Sequence, residues 1–419
     1  MNILMMTNTF RPYVGGVARS VEVFTDEYRR QGHRVLVVAP RYDAARESEP
    51  GLVRVPAIQN FNGSDLSVRV AIPGLLAGKL TNIAPDVVHA HHPFLMGDAA
   101  LRVAVGRNLP LVFTHHTMWE LYTHYVPGDS AVMRRFVIAL ATGYANLCDS
   151  VIAPSRGIRN LLASRGVQSP IVVIPTGVEV DQFARGAGAA FRRRTGIPDG
   201  AFVVGHVGRL AEEKNLPFLA RAVAQFVGHD ANRCFVVVGD GPMRDHIEAI
   251  FDDHGLAGRL FAVGRLEGKC LIDAYAAFDV FAFASGSETQ GLVLIEAMAA
   301  GVPAVALDAP GVREVLDDGR NGAMIDVEDA DTFAAALQWV AARTAHQREQ
   351  LAENARNTAR RFALDRCAAR TLQLYQSVIH IKQARPATDT LWENAMRCLN
   401  AEWKVWSARA KAGAEALTK

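Results

Sequence analysis

The sequence predicts an α/β protein made of two similar doubly wound domains facing one cleft. Three observations carry this reading. Short apolar strands alternate with helical segments in two successive series, one from Ile3 to Pro175 and one from Phe202 to Asp326. Most of these strands run out into glycine-bearing or polar loops, where a parallel sheet presents its ligands. The length of 419 residues, 50% hydrophobic and 21% charged, suits two or three soluble domains with sizeable cores.

The first series opens with the strand Ile3–Thr7, a loop Asn8–Gly16 ending in Gly15-Gly16, and a helix over Val17–Gln31 that Gly32 stops. His33–Ala39 is the second strand. The loop lacks GxGxxG spacing, so no nicotinamide site is read here. Its two glycines serve either a tight turn or the close approach of a ligand or second domain. Val87–His92 and Leu111–His116 are further strands, ending in His89, His91 and His92 and in His115 and His116. Strand alternation sends neighbouring side chains to opposite faces, and no acidic ligand stands at a metalloprotein spacing. Most of these histidines therefore read as buried and satisfied, with one at the Thr114–Thr117 turn well placed for a site.

Met118–Val126 is rich in aromatics. Ala131–Leu147 is an apolar helix that carries Arg134 and Arg135. It is either a core helix with a solvated edge or an interfacial helix whose basic residues meet anionic lipid. Ser150–Ser155 and Ile171–Pro175 are the last strands of this half. Gly177–Gly200, with Pro198 and the run Arg192–Arg194, reads as a linker.

In the second series the strands are Phe202–Val207, Phe235–Val238, Leu260–Val263, Val280–Ala284, Val305–Leu307 and Met324–Asp326. After the first comes the turn Gly208–Asn215, flanked by Arg209 and Lys214. Two cations there suit a diphosphate; the alternative is a surface pair with Glu212 and Glu213. After the second comes the sharp turn Gly239-Asp240-Gly241-Pro242. After Val280–Ala284 comes the polar loop Ser285–Gly291, then a helix from Leu292 to Ala300 closed by Gly301 and Pro303. The loop holds Glu288. Glu296 is the one charge on an otherwise apolar helix, so it needs a partner. It is either half of a structural ion pair or a diol binder, because an ionised carboxylate accepts two hydroxyl hydrogen bonds, as a ribose offers. Bare amides at the helix start form an anion site.

Beyond Ala330 helical spacing dominates: Asp331–Arg343, Gln347–Arg361, Asp365–Ile381 and, after an interruption at Pro386, Thr390–Leu417. The last carries Leu391, Trp392, Met396, Leu399, Trp403 and Trp406. Its tryptophan face is expected to pack on the body; an exposed stripe would instead point to a membrane or a partner. The domains are placed at 1–185, 186–364 and 365–419.

A net charge of +2 gives no argument for nucleic acid as a partner. Residues 1–170 hold 17 Lys and Arg against 12 Asp and Glu, and residues 171–419 hold 28 against 31. The basic bias of the first part is compatible with an anionic membrane surface. Five dispersed cysteines without CxxC spacing argue for reduced thiols and a cytoplasmic setting. The first residues form a strand instead of a signal peptide, and no run reaches the roughly 18 apolar residues of a span, so any membrane contact is expected to be peripheral.

Glu288, seven intervening residues and Glu296 resemble the E-x7-E motif of the retaining glycosyltransferases of family GT4, which have the GT-B fold. Gly15-Gly16, His116, the stretch Gly208–Asn215, Gly239–Pro242 and Ile174–Val178 are similar to further motifs of that family, in the same order. The resemblance implies two Rossmann-like domains around a cleft, with the final helices crossing back to the first domain. It implies a sugar nucleotide in the second domain and an acceptor in the first. Arg209 and Lys214 would bind the diphosphate, Glu296 the ribose and Glu288 the donor sugar, helped by amides around Gln290, Gly291 and Leu292, with Gly16 also lining the donor. His116 would orient the reacting sugar. Gly15, Glu120 and Tyr122 would contact the acceptor. Gln290 stands where family members often have Phe. His116–Tyr122 and Ser287–Leu292 also resemble the subgroup that glucosylates diacylglycerol. The expected donor is a UDP-sugar, UDP-glucose first, with no metal and no other cofactor. The expected setting is the cytoplasm, peripheral on the inner face of the cell membrane. The rival readings are an epimerase or phosphorylase on the same fold, a transferase to a polysaccharide or small-molecule acceptor, and a non-catalytic membrane-binding protein.

Overall fold

The computed structural model describes residues 1–13, 15–42, 49–58, 68–69, 84–123, 130–384 and 391–418, with the side chains of 58, 68–69, 391–398, 401 and 417–418 outside the description. The chain divides into two compact units, Met1–Gly177 with Leu364–Lys419, and Val178–Ala363.

In the first unit the strands are β1 (Asn2–Met6), β2 (Arg34–Pro40), β3 (Leu52–Val55), the hairpin β4 (Ala57–Ile58) with β5 (Val68–Arg69), β6 (Val87–Ala90), β7 (Leu111–Thr114), β8 (Ser150–Ala153) and β9 (Ile171–Val173). Seven of them form a parallel sheet in the order β3-β2-β1-β6-β7-β8-β9. Alternation along β1 sends Leu4 and Met6 to one apolar layer, with Met96, Phe113 and Ile158. It sends Ile3 and Met5 to the other, with Phe24, Tyr28 and Tyr375.

In the second unit β10 (Phe202–Val207), β11 (Arg233–Val238), β12 (Leu260–Ala262), β13 (Val280–Phe283), β14 (Ala304–Leu307) and β15 (Gly322–Ile325) form a parallel sheet in the order β12-β11-β10-β13-β14-β15. The strands are apolar on both faces because helices cover both sides. Strand order reverses between β10 and β13, so the loops after these two strands flank the crevice at their carboxyl ends. Gly239 lets the turn after β11 pack against the chain leaving β10: its φ is 139°, and a Cβ there would lie 1.8 Å from the Gly208 carbonyl oxygen.

The compact units part at Gly177–Val178, close to the domain boundary read at 185–186. Two other sequence expectations need correction. The stretch read as a linker forms the helices Val180–Phe183 and Gly188–Thr195 of the second unit. Phe183 and Phe191 anchor them in the core, Arg192 pairs with Asp279 at 2.8 Å, and a Cβ on Gly188 would lie 2.1 Å from the Ala276 carbonyl oxygen. These glycines permit close packing; they do not make a flexible tether. The second correction concerns the last helix, Leu391–Thr418, which turns Val405, Ala412 and Ala416 toward the body while Trp403 and Trp406 are exposed. Leu391, Trp392 and Met396 lie outside the described side chains, and Pro386 outside the described residues.

The helices Leu364–Gln383 and Leu391–Thr418 belong to the first unit. In the first of them, Leu364, Cys367, Leu372 and Tyr375 enter the core behind Gly16–Arg30. The second packs along Ala131–Ala145: Arg135 Nη2 donates to the Ala416 carbonyl at 2.9 Å, and Gly143 admits Ala408. Arg134 is exposed, while Phe136, Val137, Ile138 and Leu140 are half-buried. Among the described residues no helix is long and apolar enough to cross a membrane.

Gly239→Ala is expected to cost about 2–4 kcal/mol, through the Gly208 clash and the positive φ. Urea unfolding measures this; an unchanged midpoint would contradict the packing described.

Candidate active site

The crevice of the second unit is built by two loops. Residues 208–215 leave β10, and residues 284–291 leave β13. Lys214 Nζ donates to Glu288 Oε1, an ion pair in which both side chains are largely buried. The hydroxyls of Ser285 and Ser287 donate to the Glu213 carbonyl at 3.3 and 3.5 Å. The two loops are therefore joined by backbone, hydroxyl and charge. Arg209 Nη2 donates to Glu213 Oε1, the pairing left open as an alternative in the sequence, with Glu213 5% exposed and Arg209 47% exposed. The pair holds the guanidinium at the loop surface.

Gly291 has φ 71° and caps the helix Leu292–Ala299, a left-handed position that suits glycine. Gln290 is buried, and Leu292 opens the helix. Gly311 lets the next loop close over this one, since a Cβ there would approach Glu288 O at 2.8 Å and Gln290 N at 2.9 Å. Glu296 lies one turn into the helix, where the Tyr275 hydroxyl donates to its Oε2 at 2.7 Å. Burial, reinforced by the neighbouring Glu296 carboxylate, holds the Tyr275 phenol well above its usual range, so it stays a donor. The carboxylate on this apolar helix thus has a phenol as a hydrogen-bond partner. Its signal was absent from the local sequence because Tyr275 sits on a different helix.

His206 was also missed, although a lone histidine in the apolar strand Phe202–Val207 marks it. Its Nδ1–H donates to the Ala282 carbonyl at 3.0 Å, which fixes the tautomer. Its buried Nε2 has no partner among the described residues and lies 3.6 Å from the place a Cβ on Gly208 would take. Burial lowers its pKa to about 4.

In the first unit, Gly15 precedes the helix Gly16–Arg30, and its carbonyl accepts from Arg19 N–H at 2.9 Å. A side chain at Gly16 would meet nothing within 4 Å. The histidines gather at the ends of β6 and β7. His89 bonds Tyr375 Oη at 2.6 Å and Thr114 Oγ1 at 2.7 Å, and His91 Nδ1 lies 3.0 Å from His116 Nε2. His92 Nδ1 accepts from Asn8 N–H at 3.1 Å. His115 has no partner for either nitrogen among the described residues, so the expectation of satisfied histidines fails there. Burial lowers His89, His92 and His115 to about 3, and burial lowers His91 and His116 well below the usual value, with the neighbouring imidazoles adding to it. Glu120 accepts from Arg165 in a mostly buried ion pair, and Tyr122 lies just beyond it, half-buried.

Residues 14–182 match Glycosyltransferase Family 4, and residues 189–358 match Glycosyl transferases group 1. An alpha-monoglucosyldiacylglycerol synthase of Streptococcus pneumoniae is 30% identical over 334 residues, covering 77% of this chain and 75% of that protein. A GDP-mannose-dependent alpha-mannosyltransferase of Mycolicibacterium smegmatis is 33% identical over 345 residues, covering 80% and 87%. This chain is a family 4 glycosyltransferase. The fold agrees. The sucrose-phosphate synthase of Thermosynechococcus elongatus superposes with a TM-score of 0.75 at 20% identity, covering 91% of this chain and 99% of that one. The Anabaena protein Alr3699/HepE, solved with UDP, gives 0.70 at 22% identity, covering 90% and 100%. The glycosyltransferase thus has the GT-B fold of two Rossmann-like units, and the pair Glu288 and Glu296 stands where its E-x7-E motif was read.

Acid should unfold the glycosyltransferase early. A buried neutral histidine takes up a proton only in the unfolded chain between its folded and unfolded pKa values. Stability is therefore full above about pH 6.5 and falls by about 1.4 kcal/mol per pH unit per histidine below it. Among the described residues five such groups lie in the first unit and His206 alone in the second, so the first unit should unfold at the higher pH. Fluorescence and circular dichroism during acid titration check this; a chain whose stability is flat down to pH 4 would contradict it.

Proposed function

We propose that this glycosyltransferase moves a hexose, glucose in our reading, from a UDP-sugar to the hydroxyl of a membrane lipid, diacylglycerol being the first candidate, with retained anomeric configuration. The observation that carries the donor half is the joined pair of loops at the crevice of the second unit. It offers Arg209, Lys214 and the amides of Gly291 and Leu292 to a diphosphate. Glu296, steadied by Tyr275, takes the ribose hydroxyls. Glu288, steadied by Lys214, takes hydroxyls of the sugar, with Gln290 beside it.

In the reaction the bond from the anomeric carbon to the phosphate oxygen breaks, and the acceptor oxygen bonds that carbon on the same face. The acceptor proton leaves with the departing diphosphate. Arg209, Lys214 and the helix amides stabilise the charge that develops there, which is the largest contribution a protein of this kind makes. Those fixed positive groups support a reaction without a metal ion or other cofactor. His116, neutral and held by His91, orients the sugar. Glu120 and Tyr122 meet the acceptor beside Gly15.

The lipid acceptor is supported by the likeness to the alpha-monoglucosyldiacylglycerol synthases and by the stretch His116–Tyr122. The likeness to GDP-mannose-dependent enzymes favours a second reading, in which mannose comes from GDP-mannose. The setting we propose is the cytoplasmic face of the membrane.

Purified protein incubated with labelled UDP-glucose, GDP-mannose and ADP-glucose, with and without diacylglycerol vesicles, should form glucosyl lipid from the first alone. Mannosyl lipid would establish the second reading, and a sugar-nucleotide isomer formed without acceptor would remove both. Arg209→Ala should lower kcat about 100- to 1,000-fold; near-normal turnover would take Arg209 out of the diphosphate role. EDTA should leave turnover intact, and loss restored by manganese would contradict the metal-free reading.

A further inference from the structure

We propose that the outer face of the helix Leu391–Thr418 docks the enzyme on an anionic lipid bilayer, seating Trp403 and Trp406 at the boundary between headgroups and acyl chains. The inference deepens, and rests on, the reading of a membrane-lipid acceptor.

The helix buries Val405, Ala412 and Ala416 against the first unit. On the opposite side, at helical spacing, lie Leu399, Trp403, Trp406 and Ala410, and the first three are 62%, 73% and 63% exposed. An ordinary surface helix places its charges there and its apolar residues inward. This helix has an apolar inner face and an aromatic outer one. Tryptophan, with its flat apolar body and polar N–H, is the residue that favours the bilayer interface.

Lys404 and Lys411, seven residues apart, share one exposed edge of this stripe, with Glu415 3.7 Å from Lys411. Along the other edge, the helix is pinned to the body. Arg409 donates to Asp98 at 2.6 Å and lies 5.7 Å from the Trp406 ring centre, and Arg102 clasps Glu402. These pairs fix the rotation of the helix, so the tryptophans point outward.

The charge of the unit favours a lipid surface over a second protein copy. The final helices add to the first unit, which holds 26 Lys and Arg against 17 Asp and Glu, a net +9. The second unit holds 19 against 26, a net −7. Anionic headgroups complement the first unit, and each basic side chain near such a surface adds to binding. Two copies meeting on this stripe would bring lysines of like charge together, in the residue class that protein interfaces disfavour. The helix also lies beyond the residues matched to the family, 14–182 and 189–358, so it is available for a role beyond the shared fold.

The test is flotation of the full-length protein, without sugar donor, on vesicles of phosphatidylcholine alone or mixed with phosphatidylglycerol. The wild type should float with the mixed vesicles and its tryptophan emission should shift to shorter wavelength. Trp403→Ser with Trp406→Ser should lower the bound fraction about tenfold or more, with an unchanged thermal midpoint. Lys404→Glu with Lys411→Glu should abolish the preference for phosphatidylglycerol. Wild type that stays at the bottom of the gradient, or a double serine variant that floats as well as wild type, would overturn the proposal. So would a wild-type dimer that the serine variant converts to monomer. Turnover on detergent-dispersed diacylglycerol separates the two ideas. The serine variant should retain it, and wild type that floats but glucosylates no lipid would sink the acceptor reading alone.

Discussion

The Lys214–Glu288 contact is the constraint around which the candidate site is arranged. It joins loops that leave β10 and β13, strands that are adjacent in the sheet but 73 residues apart in the chain, measured from Val207 to Val280. Parallel order places both strand ends on one edge. The reversal of strand order between them opens the crevice, and the ion pair with the Ser285 and Ser287 hydroxyls fixes its floor. A loop so held can keep the amides at Gly291 aimed in one direction before any anion arrives, which is the preorganisation that electrostatic catalysis needs.

Each carboxylate of the E-x7-E pair has a different kind of partner, and the difference matters chemically. Glu288 is bound by an ammonium in a partly buried setting, while Glu296 is bound by a fully buried phenol. The ammonium can be shared with an incoming diphosphate. The phenol is held in the core, so it orients Glu296. In the first unit, burial keeps the histidines neutral, and His116 is suited to accept or donate a hydrogen bond but not to carry charge at neutral pH.

Much of this was legible in the residues. Strand ends such as Val207-Gly208 and Ala284-Ser285 were visible as apolar runs giving way to small or polar ones, and Glu296 was visible as the only charge in an apolar helix. What was hidden was tertiary. Tyr275 and Glu296 are 21 residues apart, and nothing local to either names the other. The glycines around Gly186 and Gly188 suggested a tether because a sequence cannot show the Ala276 backbone pressed against them. Trp403 and Trp406 carried a helical period that locates a stripe but not the side on which the body lies. That side was set by Val405, Ala412 and Ala416, whose smaller side chains fit along Ala131–Ala145.

The account turns on where a nucleoside diphosphate binds. A crystal structure of the protein with UDP tests it most directly. The account predicts diphosphate oxygens within hydrogen-bonding distance of Lys214 and of the amides at Gly291 and Leu292, with the ribose hydroxyls on Glu296. Nucleotide bound elsewhere, for instance at the end of β1 beside Gly15, with the Lys214–Glu288 pair untouched, would contradict it.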